Sequence, residues 1–312
     1  MGYPLKDKLK IAITTRALFQ LEEENKIFEE KGEYAYERYQ MEHEKEILKP
    51  GASFPLVKSL LKINEVPELK DKVEILIVSR NSANSSLRVF HSIKEYGLNI
   101  TRGAFTRGES VTPYIQALDV DLFLTANSQD AQMAIDAGIP AAKLEVSHSE
   151  NYDAEVKSNE IRIAFDADAV VFSEDSEIIY KTQSLEAFKE NEANLAEQPM
   201  KEGPFAKFLK ALSAVQNQQQ KLGSDSVKIR TAIVTARNAP AHERVIKTLR
   251  KWDVMVDEVF FLGGIDKAPF LKAFRAQIFF DDQKIHSEPA SEVVPSGMVP
   301  YKSESLLKEL EP

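Results

Sequence analysis

The sequence predicts an α/β protein made of two tandem units, each a parallel sheet flanked by helices. Short buried strand-like runs alternate with helical patterns. The second half of the chain repeats the first, and 312 residues suffice for two ordinary cores.

The expected strands are KIAIT (10–14), VEILIV (73–78), DLFLT (121–125), IRIAF (161–165), RTAIVT (230–235) and AQIFFD (276–281). Each is a short run rich in apolar residues on both faces, as strands covered on both sides are. A helix is expected over 240–252, with Pro240 in its first turn and Val245, Leu249 and Trp252 on one face.

The repeat is legible residue by residue. At an offset of 156, Ile77, Val78, Ala83, Arg88, Val89 and Phe105 meet identical residues at 233, 234, 239, 244, 245 and 261. At an offset of 152, IAITTRAL (11–18) lies over IAFDADAV (163–170), and Gly51 and Lys58 lie over Gly203 and Lys210. Shared apolar positions would say only that both halves are α/β; matching glycines and arginines say that one unit occurs twice. The polar stretch near 145–160 is the expected joint.

Composition narrows the function. With 43% hydrophobic and 29% charged residues, the chain reads as globular. A net charge of −9 disfavours nucleic acid and anionic membrane as partners. Zero cysteines exclude disulfides, thiolate metal sites and cysteine nucleophiles. No run is long enough to span a membrane and the N-terminal stretch is no signal peptide, so a cytoplasmic location is the default expectation.

Subtracting one copy from the other isolates chemistry. Asp166 and Asp168 stand where the first copy has Thr14 and Arg16, Lys267 stands opposite Val111, and Asp281–Asp282 opposite Thr125–Ala126. Thr235 stands opposite Ser79. Only the second copy carries four acids, a threonine and a lysine at successive strand ends, which converge on one crevice in an open α/β sheet. Converging carboxylates without His or Cys favour a hard cation such as Mg²⁺ with phosphate. A carboxylate can attack phosphorus, a second acid can protonate the leaving oxygen, and lysine offers a compact positive charge. Thr235 and Ala236 open a loop whose hydroxyl and N–H groups suit a dianion. Singly, each of these residues also reads as a turn or a solvated loop; their order is what points to phosphoryl transfer.

That order resembles the haloacid dehalogenase-like (HAD-like) phosphatases. Phosphorelay receiver domains place their acidic pair first, unlike this chain. The strings ITTRALFQLEEE, ILKPGASFPLVKSL, IRIAFDADAVVFSEDSE, VTARNAPAHERVIKTLRKWDVMVDEVFFLGG and IFFDDQKIH resemble the cytosolic 5′-nucleotidase I family, from about residue 9 to about 302. The resemblance implies Mg²⁺-dependent hydrolysis of nucleoside 5′-monophosphates, AMP preferred, through an aspartyl-phosphate. It implies Asp166 as nucleophile and Asp168 as acid/base. Asp166, the Asp168 main-chain carbonyl and one of Asp281 or Asp282 become metal ligands, and Thr235 and Lys267 hold phosphate. The repeat divides the chain into a degenerate, non-catalytic copy (1–150) and a catalytic domain (151–312), with an insertion at about 174–200 in the usual place for a cap over such a site. Ala167 is a departure, since relatives often carry Gly there, tolerable unless the position needs φ > 0. Nucleoside phosphotransfer and non-catalytic nucleotide sensing are the alternative functions, and a homo-oligomer is an open expectation.

Other residues carry two readings. Tyr180 or Phe188 in the insertion either stacks on a nucleobase or is buried by an amphipathic helix; Phe28, Tyr34, Tyr36 and Tyr39 in the first copy are equally ambiguous. Arg237 and Asn238 are candidates for phosphate or ribose. His286 reads as structural, and Gly263–Gly264 as a turn that positions Lys267. Thr14, Arg16 and Arg80 gather at strand ends of the first copy. Cations there need an answering anion, such as an effector phosphate, or acids of the second copy.

Overall fold

A computed structural model describes residues 5–144, 159–222 and 227–310. Ten strands form one sheet: β1 (Leu9–Ile13), β2 (Val73–Ser79), β3 (Arg102–Phe105), β4 (Leu122–Thr125), β5 (Ala141–Leu144), β6 (Glu160–Phe165), β7 (Lys228–Thr235), β8 (Glu258–Phe261), β9 (Ile278–Asp281) and β10 (Ser296–Met298). All six expected strands are present, with ends within two residues of expectation. The four strands not foreseen are short, and two of them, β3 and β8, are half-buried edges lacking the fully apolar signature.

The order is β3-β2-β1-β4-β5-β10-β9-β6-β7-β8. Every pairing is parallel except β5 with β10. Read outward from that seam, the halves run 5-4-1-2-3 and 10-9-6-7-8, one order twice. The expectation of two sheets with separate cores gives way to a single sheet. One apolar cluster runs from Ile11 and Phe123 through Leu144 to Phe165 and Phe280. Pairing β5 with β10 covers two edges that would otherwise be exposed. Because that pairing is antiparallel, the carboxyl ends of the first-half strands lie at the opposite edge of the sheet from those of the second half.

The matched glycines have a steric reason. A Cβ on Gly51 would stand 2.9 Å from the Phe19 backbone, and one on Gly203 would stand 2.3 Å from the Phe172 carbonyl oxygen. Both sit beside isolated bridges, Phe19 to Pro50 and Phe172 to Glu202. The matched arginines also share a role. Arg88 pairs with the buried Glu24 of the helix Glu22–Glu42, and Arg244 pairs with the buried Glu192.

The expected helix over 240–252 begins at His242, so Pro240 precedes it instead of opening its first turn. Val245 and Leu249 are buried as expected, and the Trp252 ring packs on Phe172. The insertion folds as two helices, Asp175–Thr182 and Leu185–Asn194. Residues 145–158 of the expected joint lie outside the described residues. Among the described residues, no helix is long and apolar enough to cross a membrane.

Candidate active site

Asp166 ends β6, its N–H donating to the Phe280 carbonyl of β9 at 2.8 Å. This bond, together with the β6–β9 register, sets Asp166 beside Asp281. The chain then turns sharply, with Asp168 extended and Ala169 at φ 57°. The left-handed residue is therefore Ala169, not Ala167, so the alanine that departs from the family pattern needs no special backbone. The loop after the turn is held by Gly203, whose missing side chain lets the Val170 and Phe172 carbonyls approach.

Lys267 arrives from the other side. Gly263 and Gly264, at φ 59° and 91°, form the expected turn, and Lys267 caps the helix Ala268–Phe274. Its ammonium donates to Asp166 Oδ1 at 2.7 Å and to Asp281 Oδ2 at 2.6 Å. Asp281 Oδ1 accepts from the Gln283 N–H at 2.8 Å. Asp282 Oδ2 accepts from the Tyr301 hydroxyl at 2.5 Å, while its Oδ1 is buried and without a hydrogen-bond partner among the described residues. Carboxylate oxygens of Asp166, Asp281 and Asp282 lie within 4.8 Å of one another.

The electrostatics follow from three buried acids around one cation. Burial pushes Asp166 up to about 7; Lys267 pulls it down and Asp281 pushes it further up. Burial, then Asp281, also raises Asp282 well above the ordinary range. Burial works against the charge on Lys267, but Asp166 and Asp281 outweigh it and hold the ammonium above the usual lysine range. With all three acids ionised, such a cluster would have an excess of negative charge that a cation would answer.

Asp168 stands apart from those acids. Both its oxygens are taken by Arg237, from Nε at 2.7 Å and from the terminal nitrogen at 2.6 Å. Arg237 in turn binds Glu192 on the second insertion helix and lies 5.1 Å from the Phe188 ring centroid. Glu192 also accepts from Ser176 at 2.8 Å and from Arg244 at 2.9 Å. Burial would raise Glu192, but the adjacent Arg237 holds it below the usual carboxylate range.

The structure thus brings Asp166, Lys267, Asp281 and Asp282 into one cluster. Thr235 is buried at the end of β7, its hydroxyl accepting from the Arg237 N–H at 3.2 Å. Ala236 and Asn238 are exposed beside it. Arg237 is placed on Asp168 and Glu192, and Phe188 against Arg237, while Tyr180 is half-exposed. Sequence reasoning missed Glu192 and Tyr301. Only the Arg88–Arg244 match hinted that a buried acid must face each arginine.

In the first half, Arg16 pairs with Glu22 and Arg80 with Asp130. Acids of the second half do not answer them, because the antiparallel seam turns those acids to the far edge of the sheet.

The arrangement, a carboxylate nucleophile candidate among acids and a lysine, is one suited to phosphate esters. Comparison with known proteins agrees with it. Cytosolic 5′-nucleotidase 1B of Homo sapiens is 35% identical over 292 residues, covering 91% of this chain and 47% of that protein. The chain therefore spans about half the length of this curated relative. No solved structure matches it significantly. The family model for 5′-nucleotidase matches residues 1–306, which include every strand of the sheet and the whole acidic cluster, and the chain belongs to that family.

Proposed function

We propose that this chain is a Mg²⁺-dependent 5′-nucleotidase that hydrolyses nucleoside 5′-monophosphates, AMP foremost, to nucleoside and phosphate. The observation that carries the reading is the buried cluster of Asp166, Lys267, Asp281 and Asp282 at adjacent strand ends. Three convergent carboxylates and the Asp282 Oδ1, without a partner among the described residues, fit a hard cation, which Asp166, the Asp168 carbonyl and Asp281 or Asp282 would hold. Such a cation would supply charge stabilisation to the phosphate oxygens.

The chain's own residues divide the work. An Asp166 carboxylate oxygen attacks phosphorus, and the bond to the nucleoside 5′ oxygen breaks as Asp168 gives that oxygen its proton. Water then attacks the aspartyl-phosphate, losing a proton to Asp168, so that phosphate leaves and Asp166 is restored. Lys267 balances charge on Asp166 and on the phosphate. The Thr235 hydroxyl and the Ala236 N–H bind phosphate oxygens, and Asn238 at the mouth faces ribose. Arg237 acts as the residue that orients Asp168.

In this reading residues 151–312 form a catalytic HAD-like unit capped by the helices within 174–200, and residues 1–150 a degenerate copy. The equal strand order of the halves supports it. A cytosolic location belongs to the same proposal. The test is phosphate release from a panel of nucleoside monophosphates and sugar phosphates, with and without Mg²⁺. Asp166→Asn should abolish release while leaving the circular dichroism spectrum unchanged; substantial residual turnover would overturn the assignment. Added nucleoside that captures phosphate as new nucleotide would instead mark a phosphotransferase, and AMP binding without release a sensor.

A further inference from the structure

A cavity of about 370 Å³ opens at the other edge of the sheet, above the carboxyl ends of β1, β2 and β4. In the first half, β1 is the strand from which the order runs both ways, the place where open α/β sheets bind ligands. The volume falls within the ordinary range for small-molecule sites. One wall is apolar and aromatic, from Leu21 and from Phe28 and Tyr36 of the helix Glu22–Glu42. The floor is polar, from Thr14, Ser79 and Asn81, and Asn25 and Asn127 add amides at the sides. Thr14 Oγ1 is buried there and has no hydrogen-bond partner among the described residues. A buried hydroxyl is costly to leave unpaired.

Charge selects the ligand. Arg16 is held by Glu22 at 3.0 and 2.5 Å, and Arg80 by Asp130 at 2.8 and 2.5 Å. Glu33 and Glu37 line the same cavity. A phosphate entering would find its two arginines already neutralised; Glu33 is paired with Arg107 at 3.1 Å, and Glu37, which accepts from the Ser82 hydroxyl at 2.5 Å, adds negative charge to the wall. An uncharged ligand meets no such repulsion. A flat base suits Phe28 and Tyr36, amides present donors and acceptors to its edge, and carboxylates accept from sugar hydroxyls.

We propose that this cavity binds a nucleoside, and that its occupancy is felt at the acidic cluster. The choice of a nucleoside over other uncharged polyols rests on the 5′-nucleotidase reading, in which it is the released product. The route is the helix Ser128–Asp136, whose Asn127 cap and Asp130 line the cavity. Gln132 Nε2 on that helix donates to the Tyr301 carbonyl at 2.8 Å, and Asp136 accepts from Ser303 N–H and hydroxyl at 2.7 Å. Tyr301 is the residue whose hydroxyl holds Asp282. Cavity and cluster are thus joined by one helix and one ordered segment.

The test is calorimetric titration of the full chain with adenosine and inosine, beside AMP and inorganic phosphate. Thr14→Val and Phe28→Ala are the cavity variants, each checked by ligand-free melting against wild type. Nucleoside should bind, and both variants should weaken it at least tenfold. Saturating nucleoside should change kcat/KM for AMP in wild type, and Gln132→Met should abolish that change while nucleoside still binds. Absence of nucleoside binding, or binding indifferent to both variants, overturns the site. Phosphate or AMP binding more tightly there, with the same dependence on Thr14, overturns the nucleoside in favour of an anion. An unchanged kcat/KM overturns the coupling. Phosphate release by the same preparation reports separately on the nucleotidase reading, so its failure cannot be mistaken for failure of the cavity.

Discussion

Asp166 is asked to be both a buried neutral group and an ion. Raised to about 7 by burial in the folded chain, it binds a proton that the unfolded chain has already lost above its ordinary value of 3.8. The folded state therefore holds more protons between about pH 4 and 7, and metal-free stability should fall as pH rises through that window. Cation binding must displace the same proton, so Mg²⁺ affinity should rise with pH through that window. Melting temperature measured against Mg²⁺ concentration at several pH values checks both, and an affinity flat across the window contradicts them. The acids themselves were legible in the sequence because the repeat subtracts the scaffold: Thr14 against Asp166 and Val111 against Lys267 leave little else. Glu192 and Tyr301 were not legible. Nothing in a run such as KENEANL tells a solvated acid from one that is 0% exposed between two arginines, because tertiary placement alone decides it.

At the scale of elements, the second insertion helix reaches the turn after β6 through Glu192, with Phe188 beside it on Arg237. Glu192 holds Arg237, which holds both oxygens of Asp168. Glu192→Gln would leave the buried Arg237 and the half-buried Arg244 short of a charge, costing on the order of 3–5 kcal/mol in thermal or urea unfolding. Where the variant folds, kcat should fall more than KM rises, because Asp168 loses its orientation and not its contact with substrate. Glu192→Asp should recover part of kcat; equal losses in both variants, confined to stability, would reduce Glu192 to scaffold. Central strands were readable because burial on both faces writes a continuous apolar run, as in β2 and β7. The strands β3 and β8 escaped because an edge with one open side needs no such run.

For the whole molecule, the seam is the feature that no local pattern announced. Among the described residues it pairs Gly297 with Leu144 and Met298 with Lys143. A Cβ on Gly297 would stand 2.9 Å from both the Ala142 Cβ and the Phe280 ring. Gly297→Val should therefore overpack the joint and cost about 1–3 kcal/mol, read as a lower melting temperature. A variant as stable as wild type would mean that the seam yields easily. Repeat matching told which residues correspond but not how the halves meet, since a parallel and an antiparallel joint leave the same apolar runs.

The antiparallel joining of β5 to β10 also has a consequence for ancestry. Equivalent edges meeting each other antiparallel are what a two-fold axis imposes on identical subunits. In one chain, this is the architecture a symmetric dimer retains when its two genes fuse. A fused partner stays under selection for the interface it buries, whatever becomes of its own pocket. On the proposed reading the positions of its acids are then free to change, as Thr14 and Arg16 stand where the second half has Asp166 and Asp168, while its fold is preserved.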